Sequence, residues 1–268
     1  MTDLENLTLA RAEQFRLLIR DSAERERISS FVIEGPHLIQ RALESAPERV
    51  KEIIFTDRAL EENQTIARLA ERKNIQCSHV SQKLSEKISD TKTPQGIFAV
   101  VEMPESLGDL PVAPTGKTEI LLLLDNVQDP GNVGTIIRTA SWFGVERIFL
   151  STGCADPYSP KVLRATQGEI FSTKVGKRGG LENFLRILQK KDWQILAATI
   201  SPAACSLYKM AFKANVVLVL GSEAHGVSQP ILDLCDGQIM IPKYGEAESL
   251  NVAMSAGIIL SEIMRKSG

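Results

Sequence analysis

The pattern of apolar and polar positions divides the chain into two stretches, each alternating between strand-like and helix-like segments. In the first stretch, short β-type runs predict strands at Phe31–Glu34, Glu52–Thr56, Gln76–Val80 and Ile97–Glu102. Helical apolar spacing lies between these runs at Pro36–Leu43 and Leu60–Lys73, and a helical arm over Leu4–Arg27 precedes them. This stretch is expected to form a small α/β domain.

The second stretch contains apolar runs that are nearly continuous, as is typical of strands covered on both faces. The predicted strands are Ile120–Leu124, Arg147–Ser151, Gln194–Ile200, Val216–Gly221 and Gln238–Pro242. The predicted helices are Val133–Phe143, Leu181–Lys190 and Ser249–Arg265. Because strands and helices alternate, a doubly wound parallel sheet is expected.

Prolines and glycines interrupt the chain between the two stretches, where Met103–Lys117 reads MPESLGDLPVAPTGK. Neither a helix interior nor a central strand tolerates this pattern. We therefore predict a first domain over residues 1–104, a linker over 105–117 and a second domain over 118–268.

Composition excludes several classes of protein. With 43% hydrophobic and 24% charged residues, the chain is neither disordered nor a disulfide scaffold. The net charge of −2 means that any nucleic-acid binding needs a local basic surface. The four cysteines form no Cys-x-x-Cys pair and do not cluster with the three histidines, so no metal site is predicted. No signal-peptide pattern or membrane-length apolar run is present, which favours the cytoplasm.

The loop after the first strand of the second domain carries candidate chemistry. The strand ends at Asp125, and the polar loop that follows contains Asn132. Open α/β sheets hold ligands in loops of this kind. Arg138 comes one turn after Gly134, in a segment that is otherwise apolar or small. A simple surface role for Arg138 remains an alternative.

Two later loops also begin where a predicted strand ends. In VVLVLGSEAHGVS, Glu223 could hold Arg138 through a bidentate pair, and His225 is a weaker candidate for a general base. In QIMIPKYGEAESLNV, Ser249 begins a predicted helix and Asn251 lies in its first turn. Ser249 could equally serve only as the helix cap. The three loops converge only if their strands are neighbours, which periodicity does not show.

Together, these loops resemble the SpoU (TrmH-type) branch of the SPOUT superfamily of RNA methyltransferases. The three motifs are D-N-x-x-D-P-G-N-x-G-x-x-x-R-T-A at Asp125–Ala140, L-G-S-E-x-x-G at Leu220–Gly226 and I-P-x-x-G-x-x-x-S-L-N-V at Ile241–Val252. Thr166, Lys243 and Ala253 depart from the usual family pattern. In the first domain, FVIEGPHLIQRAL and TPQGIFAVV are similar to the RNA substrate-binding domain of the ribosomal-RNA members.

The resemblance implies a parallel-sheet SPOUT domain with a deep trefoil knot, preceded by a small α/β domain that resembles ribosomal protein L30e. It implies a homodimer formed through the knotted domain. S-adenosylmethionine is the implied cofactor, and Gly221, Ile241 and Leu250 are the implied cofactor-binding residues.

The implied reaction moves a methyl group from S-adenosylmethionine to a ribose 2′-hydroxyl of RNA. By motif position, the implied catalytic residues are Asn132, Arg138, Glu223, Ser249 and Asn251. Arg138 is also expected to bind RNA, together with Lys161 and Arg164 of a basic run. Because guanidinium stays protonated in proteins, we expect Arg138 to clamp a phosphate or ribose oxygen rather than act as a base.

Ribosomal RNA, of the large subunit, is the favoured substrate because minimal transfer-RNA members of the family lack the first domain. A transfer-RNA substrate and a non-catalytic RNA-binding relative remain alternatives. A nicotinamide-dependent oxidoreductase is disfavoured because the first loop lacks the G-x-G-x-x-G spacing.

Overall fold

The structure, a computed structural model, describes residues 4–104, 107 and 118–267. The helices are α1 (Leu9–Arg20), α2 (Ser22–Ile28), α3 (Pro36–Ser45), α4 (Asp57–Glu62), α5 (Gln64–Arg72), α6 (Gln82–Ile88), α7 (Pro130–Trp142), α8 (Pro160–Thr166), α9 (Leu181–Lys190), α10 (Gln229–Leu232) and α11 (Val252–Ser267). The strands are β1 (Glu5–Asn6), β2 (Ser30–Glu34), β3 (Val50–Phe55), β4 (Gln76–His79), β5 (Ile97–Glu102), β6 (Glu119–Asp125), β7 (Arg147–Leu150), β8 (Lys174–Lys177), β9 (Gln194–Ala198), β10 (Cys205–Ser206), β11 (Asn215–Gly221) and β12 (Gly237–Met240).

The described residues form two compact units. The first contains residues 4–104 together with 158–171, and the second contains residues 107, 118–157 and 172–267. Residues 158–171, predicted within the second domain, therefore belong to the first unit. The predicted linker, apart from Leu107, lies outside the described residues, so its bounds stay predictions.

The first unit is built on a five-stranded sheet in the order β1-β4-β3-β5-β2. Strand β5 runs antiparallel to both of its neighbours, and β3 runs parallel to β4. Apolar side chains of α1 and α6 cover one face of this sheet, with Phe15, Ile88 and Phe98 in the shared core. The small α/β domain predicted for this part of the chain is confirmed.

The segment 158–171 is anchored in the first unit by aromatic and ionic contacts. The ring of Phe31 on β2 lies 4.7 Å from the ring of Tyr158 and 6.4 Å from that of Phe171. The Arg41 guanidinium on α3 contacts the Glu169 carboxylate at 3.0 Å. Because both rings and Phe31 are buried, these contacts form part of the core of the unit.

The second unit is built on a seven-stranded sheet in the order β10-β12-β9-β11-β6-β7-β8, and every pairing is parallel. The predicted parallel sheet is confirmed. The central strands β6 and β11 pair in register along their whole length, from Glu119 with Asn215 to Asp125 with Gly221. Both are almost fully buried, which explains their continuous apolar sequences.

Helix α11 follows β12 in the chain but packs on α7 and also contacts β11. It begins at Val252 rather than at the predicted Ser249. The side chain of Asn251 accepts hydrogen bonds from the backbone N–H groups of Ala253 at 2.9 Å and Met254 at 3.2 Å. Asn251, not Ser249, therefore caps the helix.

Within the described ranges, the structure has no helix with the combined length and hydrophobicity needed to cross a membrane.

Candidate active site

Two of the three polar loops follow adjacent strands, whereas the third follows a strand that is not adjacent to them. Asp125 at the end of β6 is the register partner of Gly221 at the end of β11. Strand β12, which leads into the third loop, is separated from β11 by β9. The third loop joins the others because α11, which begins where the loop ends, packs on α7.

A chain of hydrogen-bonded side chains connects all three loops. The side-chain amide of Asn251 donates to Oδ1 of Asn132 at 2.8 Å. The amide of Asn132 in turn donates to the carboxylate of Glu223. The backbone N–H of Asn132 donates to Oδ1 of Asp129 at 2.9 Å, so Asp129 caps α7 and fixes the backbone that carries the Asn132 side chain. Three predicted site residues are therefore brought together.

Arg138 lies on the exposed face of α7, and its guanidinium makes no hydrogen bond or ion pair with a described residue. The predicted pair between Glu223 and Arg138 is absent from the described part of the structure, because the Glu223 carboxylate contacts Asn132 instead. The five N–H donors of Arg138 are therefore available to an anionic or polar ligand.

Asp125 holds a second network that sequence reasoning missed. Its Oδ2 accepts a hydrogen bond from the backbone N–H of Ser228 at 2.8 Å, and its Oδ1 accepts one from the Asn126 amide at 3.0 Å. The backbone N–H of Asn126 donates to Oγ of Ser151 at 2.9 Å. Burial raises the pKa of the nearby Cys154 thiol, and the Asp125 charge acts in the same direction. The available signal was an acidic residue directly after a buried strand.

The residues implied for cofactor binding lie at the carboxyl ends of β11 and β12 and before α11. A Cβ on Gly221 would come within 2.0 Å of the Gly226 backbone, so only glycine allows the loop to turn back this closely. Ile241 directly follows β12 and is half-buried. Leu250 is 49% exposed, and Ser249 beside it is also exposed.

The candidate RNA-binding residues Lys161 and Arg164 lie on α8, within the first unit. Lys161 is exposed, and Arg164 forms an ion pair with Asp90 at 3.3 Å, in which both side chains are partly exposed. His225 is exposed in the loop after β11, where its backbone N–H donates to Oγ of Ser222. No contact in the described residues supports a catalytic role for His225.

Comparison with known protein families decides the identity of this site. Residues 119–261 match the model of the SpoU rRNA methylase family. The chain belongs to this family. Residues 32–107 match a second model, described as RNA 2′-O ribose methyltransferase substrate binding. The predicted SpoU resemblance is therefore confirmed for both parts of the chain.

Similar proteins cover nearly the whole of this SpoU family member. It is 36% identical to 23S rRNA (guanosine(2553)-2′-O)-methyltransferase RlmP of Bacillus subtilis (strain 168), over 88% of this chain and 89% of that protein. An AdoMet-bound rRNA methyltransferase from Sinorhizobium meliloti aligns with a TM-score of 0.82 and 27% identity, over 98% and 97% of the two chains. The SpoU methyltransferase AviRb from Streptomyces viridochromogenes, solved with AdoMet, aligns with a TM-score of 0.82 and 26% identity, over 97% and 98%.

Family membership gives the polar network its chemical setting. The chain is an RNA ribose 2′-O-methyltransferase with a SPOUT methyltransferase domain and a substrate-binding domain. The network of Asn132, Glu223 and Asn251 joins the three SpoU motifs, and the exposed Arg138 belongs to the first of them.

Proposed function

We propose that this SpoU methyltransferase uses S-adenosylmethionine to methylate a ribose 2′-hydroxyl of large-subunit ribosomal RNA. The observation that carries the proposal is the hydrogen-bonded chain from Asn251 through Asn132 to Glu223, with the guanidinium of Arg138 available on the same helix as Asn132. The match of residues 32–107 to a substrate-binding model and the rRNA-modifying relatives favour ribosomal RNA.

The residues present fit S-adenosylmethionine. Gly221 leaves the end of β11 free of side-chain atoms, and the loop up to Ser228 folds back on it. Leu250 and Ile200 expose apolar side chains at the carboxyl edge of the sheet, where an adenine ring could pack. Backbone groups near Gly221, Ile241 and Leu250 would then read the adenosine. When bound, the cofactor supplies an electrophilic methyl group on a sulfonium sulfur.

The proposed role of Arg138 is to hold and polarise the RNA. Its planar fork of donors suits a phosphate or the ribose oxygen of the target nucleotide. A guanidinium near that oxygen stabilises the negative charge that develops as the hydroxyl reacts. Positioning of the two reactants would then provide much of the rate enhancement.

The amide network is proposed to set the shape of the site. Asn132 is held from both sides by Asn251 and Glu223, so it fixes the loop before α7 relative to the other two loops. Ser249 is exposed in the third loop, two residues before the cap of α11, and is proposed to orient substrate groups there.

A local basic surface on α8 is proposed to bind RNA phosphates. The Arg164–Asp90 ion pair is partly exposed, and such pairs contribute little stability. A phosphate could therefore replace Asp90 as the partner of Arg164 at small cost. Lys161, exposed on the same helix, would add a second contact.

We also propose that the protein is a cytoplasmic homodimer with a trefoil knot in its SPOUT domain. The return of the chain after β12 to pack α11 on α7 supports the knot. Trp142 at the end of α7 and Met254 at the start of α11 are 85% and 62% exposed. We propose that a second copy covers these exposed apolar side chains.

The proposal is tested by transfer of labelled methyl from S-adenosylmethionine to unmodified ribosomal RNA and, separately, to bulk transfer RNA. Label at one ribosomal position, lost with Arg138→Ala, is the expected result. Label in transfer RNA alone would overturn the substrate assignment. Cofactor binding without label in either RNA or in an assembling large subunit would identify a non-catalytic relative.

A further inference from the structure

The described part of the chain buries three acidic side chains, Glu52, Asp125 and Glu262. Two of them pair with cations: Glu52 with Arg11 at 2.6 Å, and Glu262 with Arg265 at 2.7 Å. Asp125 is 3% exposed, and its hydrogen bonds come only from neutral donors. Burying a charge without a cation is unfavourable for folding, so a functional reason is required.

Both oxygens of Asp125 act as acceptors, as expected for an ionised carboxylate. Its neighbour Cys154 offers no positive charge, because a thiol is either neutral or anionic, and this one donates to the Leu124 carbonyl at 3.2 Å. The negative charge therefore stands uncompensated at the carboxyl edge of the sheet.

The position of this charge connects it with the cofactor loop. Asp125 and Gly221 are register partners on adjacent strands, which lie about 4.8 Å apart. The hydrogen bond from Ser228 ties the far end of the same loop to the carboxylate. Asp125 thus lies beside both ends of the loop to which cofactor binding is assigned above.

We propose that Asp125 is the electrostatic complement of the cationic cofactor and favours S-adenosylmethionine over the product S-adenosylhomocysteine. This inference rests on the proposed function. The two molecules differ in one methyl group and in the positive charge on sulfur. A buried carboxylate attracts the sulfonium, and this attraction ends when methyl transfer leaves a neutral thioether and the ribose proton leaves to solvent. Asp125 would thereby favour exchange of product for fresh cofactor.

The test compares the Kd values of both molecules for the full chain by calorimetry. Asp125→Asn keeps the shape of the side chain and removes its charge. The ratio of the two affinities is expected to shift by at least about tenfold toward S-adenosylhomocysteine, because the attraction between two charges at an effective dielectric constant of about 20 exceeds the equivalent of tenfold out to roughly 10 Å. A purely structural role would weaken both ligands equally and leave the ratio unchanged.

Asp236→Asn provides a control for the loss of a carboxylate that accepts a backbone hydrogen bond, at an exposed position. Asp236 also accepts a hydrogen bond from a backbone N–H, that of Ile195 at 2.7 Å. Ile195 lies near the amino end of β9, whereas Asp125 lies at the carboxyl end of β6. This variant is expected to keep the wild-type ratio. An equal shift in both variants would overturn the proposal.

If Asp125→Asn does not fold, the double substitution D125N/N126D restores the hydrogen bond between the two side chains, with the amide at position 125 as donor and the carboxylate at position 126 as acceptor. It moves the carboxylate to exposed position 126, where solvent screens it, so the ratio should still shift. An unchanged ratio would again contradict the inference. A wild-type protein that binds neither molecule would overturn the proposed function itself, which separates the two failures.

Discussion

Arg138 carries a permanent charge on an exposed helix face and has no described partner. Lysine offers the same charge as a single point, whereas arginine presents a planar fork to phosphate or ribose oxygens. The two side chains therefore distinguish a clamp from simple charge attraction.

Arg138→Lys is expected to lower kcat/KM for RNA methylation by about 100-fold, because the fork acts mainly on the transition state. The affinity for S-adenosylmethionine should remain unchanged in calorimetry. Arg186→Lys, at another exposed arginine on α9, is the control and should keep full activity. Near-normal activity of Arg138→Lys would refute the clamp.

Asn251 combines two roles that substitution can separate. Asn251→Asp retains the oxygen that caps α11 but loses the amide donated to Asn132. It should keep the wild-type Tm and lose most activity. Asn251→Ala should lose activity and also about 1 kcal/mol of stability, as expected for a missing cap. Thermal unfolding together with methyl transfer checks both, and equal stability loss in the two variants would contradict the assignment.

The sequence motifs supplied Asn132, Glu223 and Asn251 as site residues, and the structure brings all three together. Their hydrogen-bond partners could not be predicted. The sequence suggested that the Glu223 carboxylate holds Arg138, whereas in the structure this carboxylate accepts a hydrogen bond from the Asn132 amide. The Asp125 contact was also invisible, because it joins backbone and side-chain groups 103 positions apart.

At the scale of elements, continuous apolar runs were the reliable signal, and β6, β11 and α9 lie within a residue or so of their predicted bounds. Strand β8 was missed because its four residues, KVGK, place lysines at both ends. As an edge strand it has one partner, so its sequence does not need an apolar run.

The last turns of α11 predict a pH-dependent stability. Arg265 hydrogen-bonds to Glu262 and, with Lys266, lowers the pKa of that carboxyl from 4.5 to about 2. Because the pKa is lower in the folded state, the contribution is present above about pH 4.5 and is lost as the pH falls toward 2. Wild type should therefore exceed Glu262→Gln in Tm at pH 6, with the difference shrinking below pH 4.5. A constant difference in Tm across this range would count against the ion pairs.

The basic residues of helix α8 lead to a prediction about how RNA binding depends on salt concentration. Replacing Lys161 and Arg164 by alanine should weaken RNA binding and make the dependence of log Kd on log salt shallower by about 1.5, for two lost phosphate contacts. Filter binding of ribosomal RNA at several salt concentrations measures this slope. Lys190→Ala with Lys191→Ala, at the end of α9, is the control pair, and equal slopes in all proteins would exclude α8 from the RNA surface.

At the scale of the whole molecule, the exposed apolar surface of α7 and α11 predicts self-association. Trp142→Asp should yield a monomer in light scattering at micromolar concentration, since a charge on a dimer surface is strongly unfavourable. Ile187→Asp, at a 44% exposed position on α9, should leave the mass unchanged. A monomeric wild type would disprove the proposed dimer.

The core of the first unit includes Tyr158 and Phe171, which the chain supplies from well beyond the predicted linker. The gene therefore cannot be divided at the linker into two interchangeable modules. A fragment ending there would lack two aromatic side chains against Phe31 and expose part of its core. A chimaera with a new first domain would need a matching 158–171 segment as well. Natural recombination within the family should accordingly have exchanged the first domain and the 158–171 segment together.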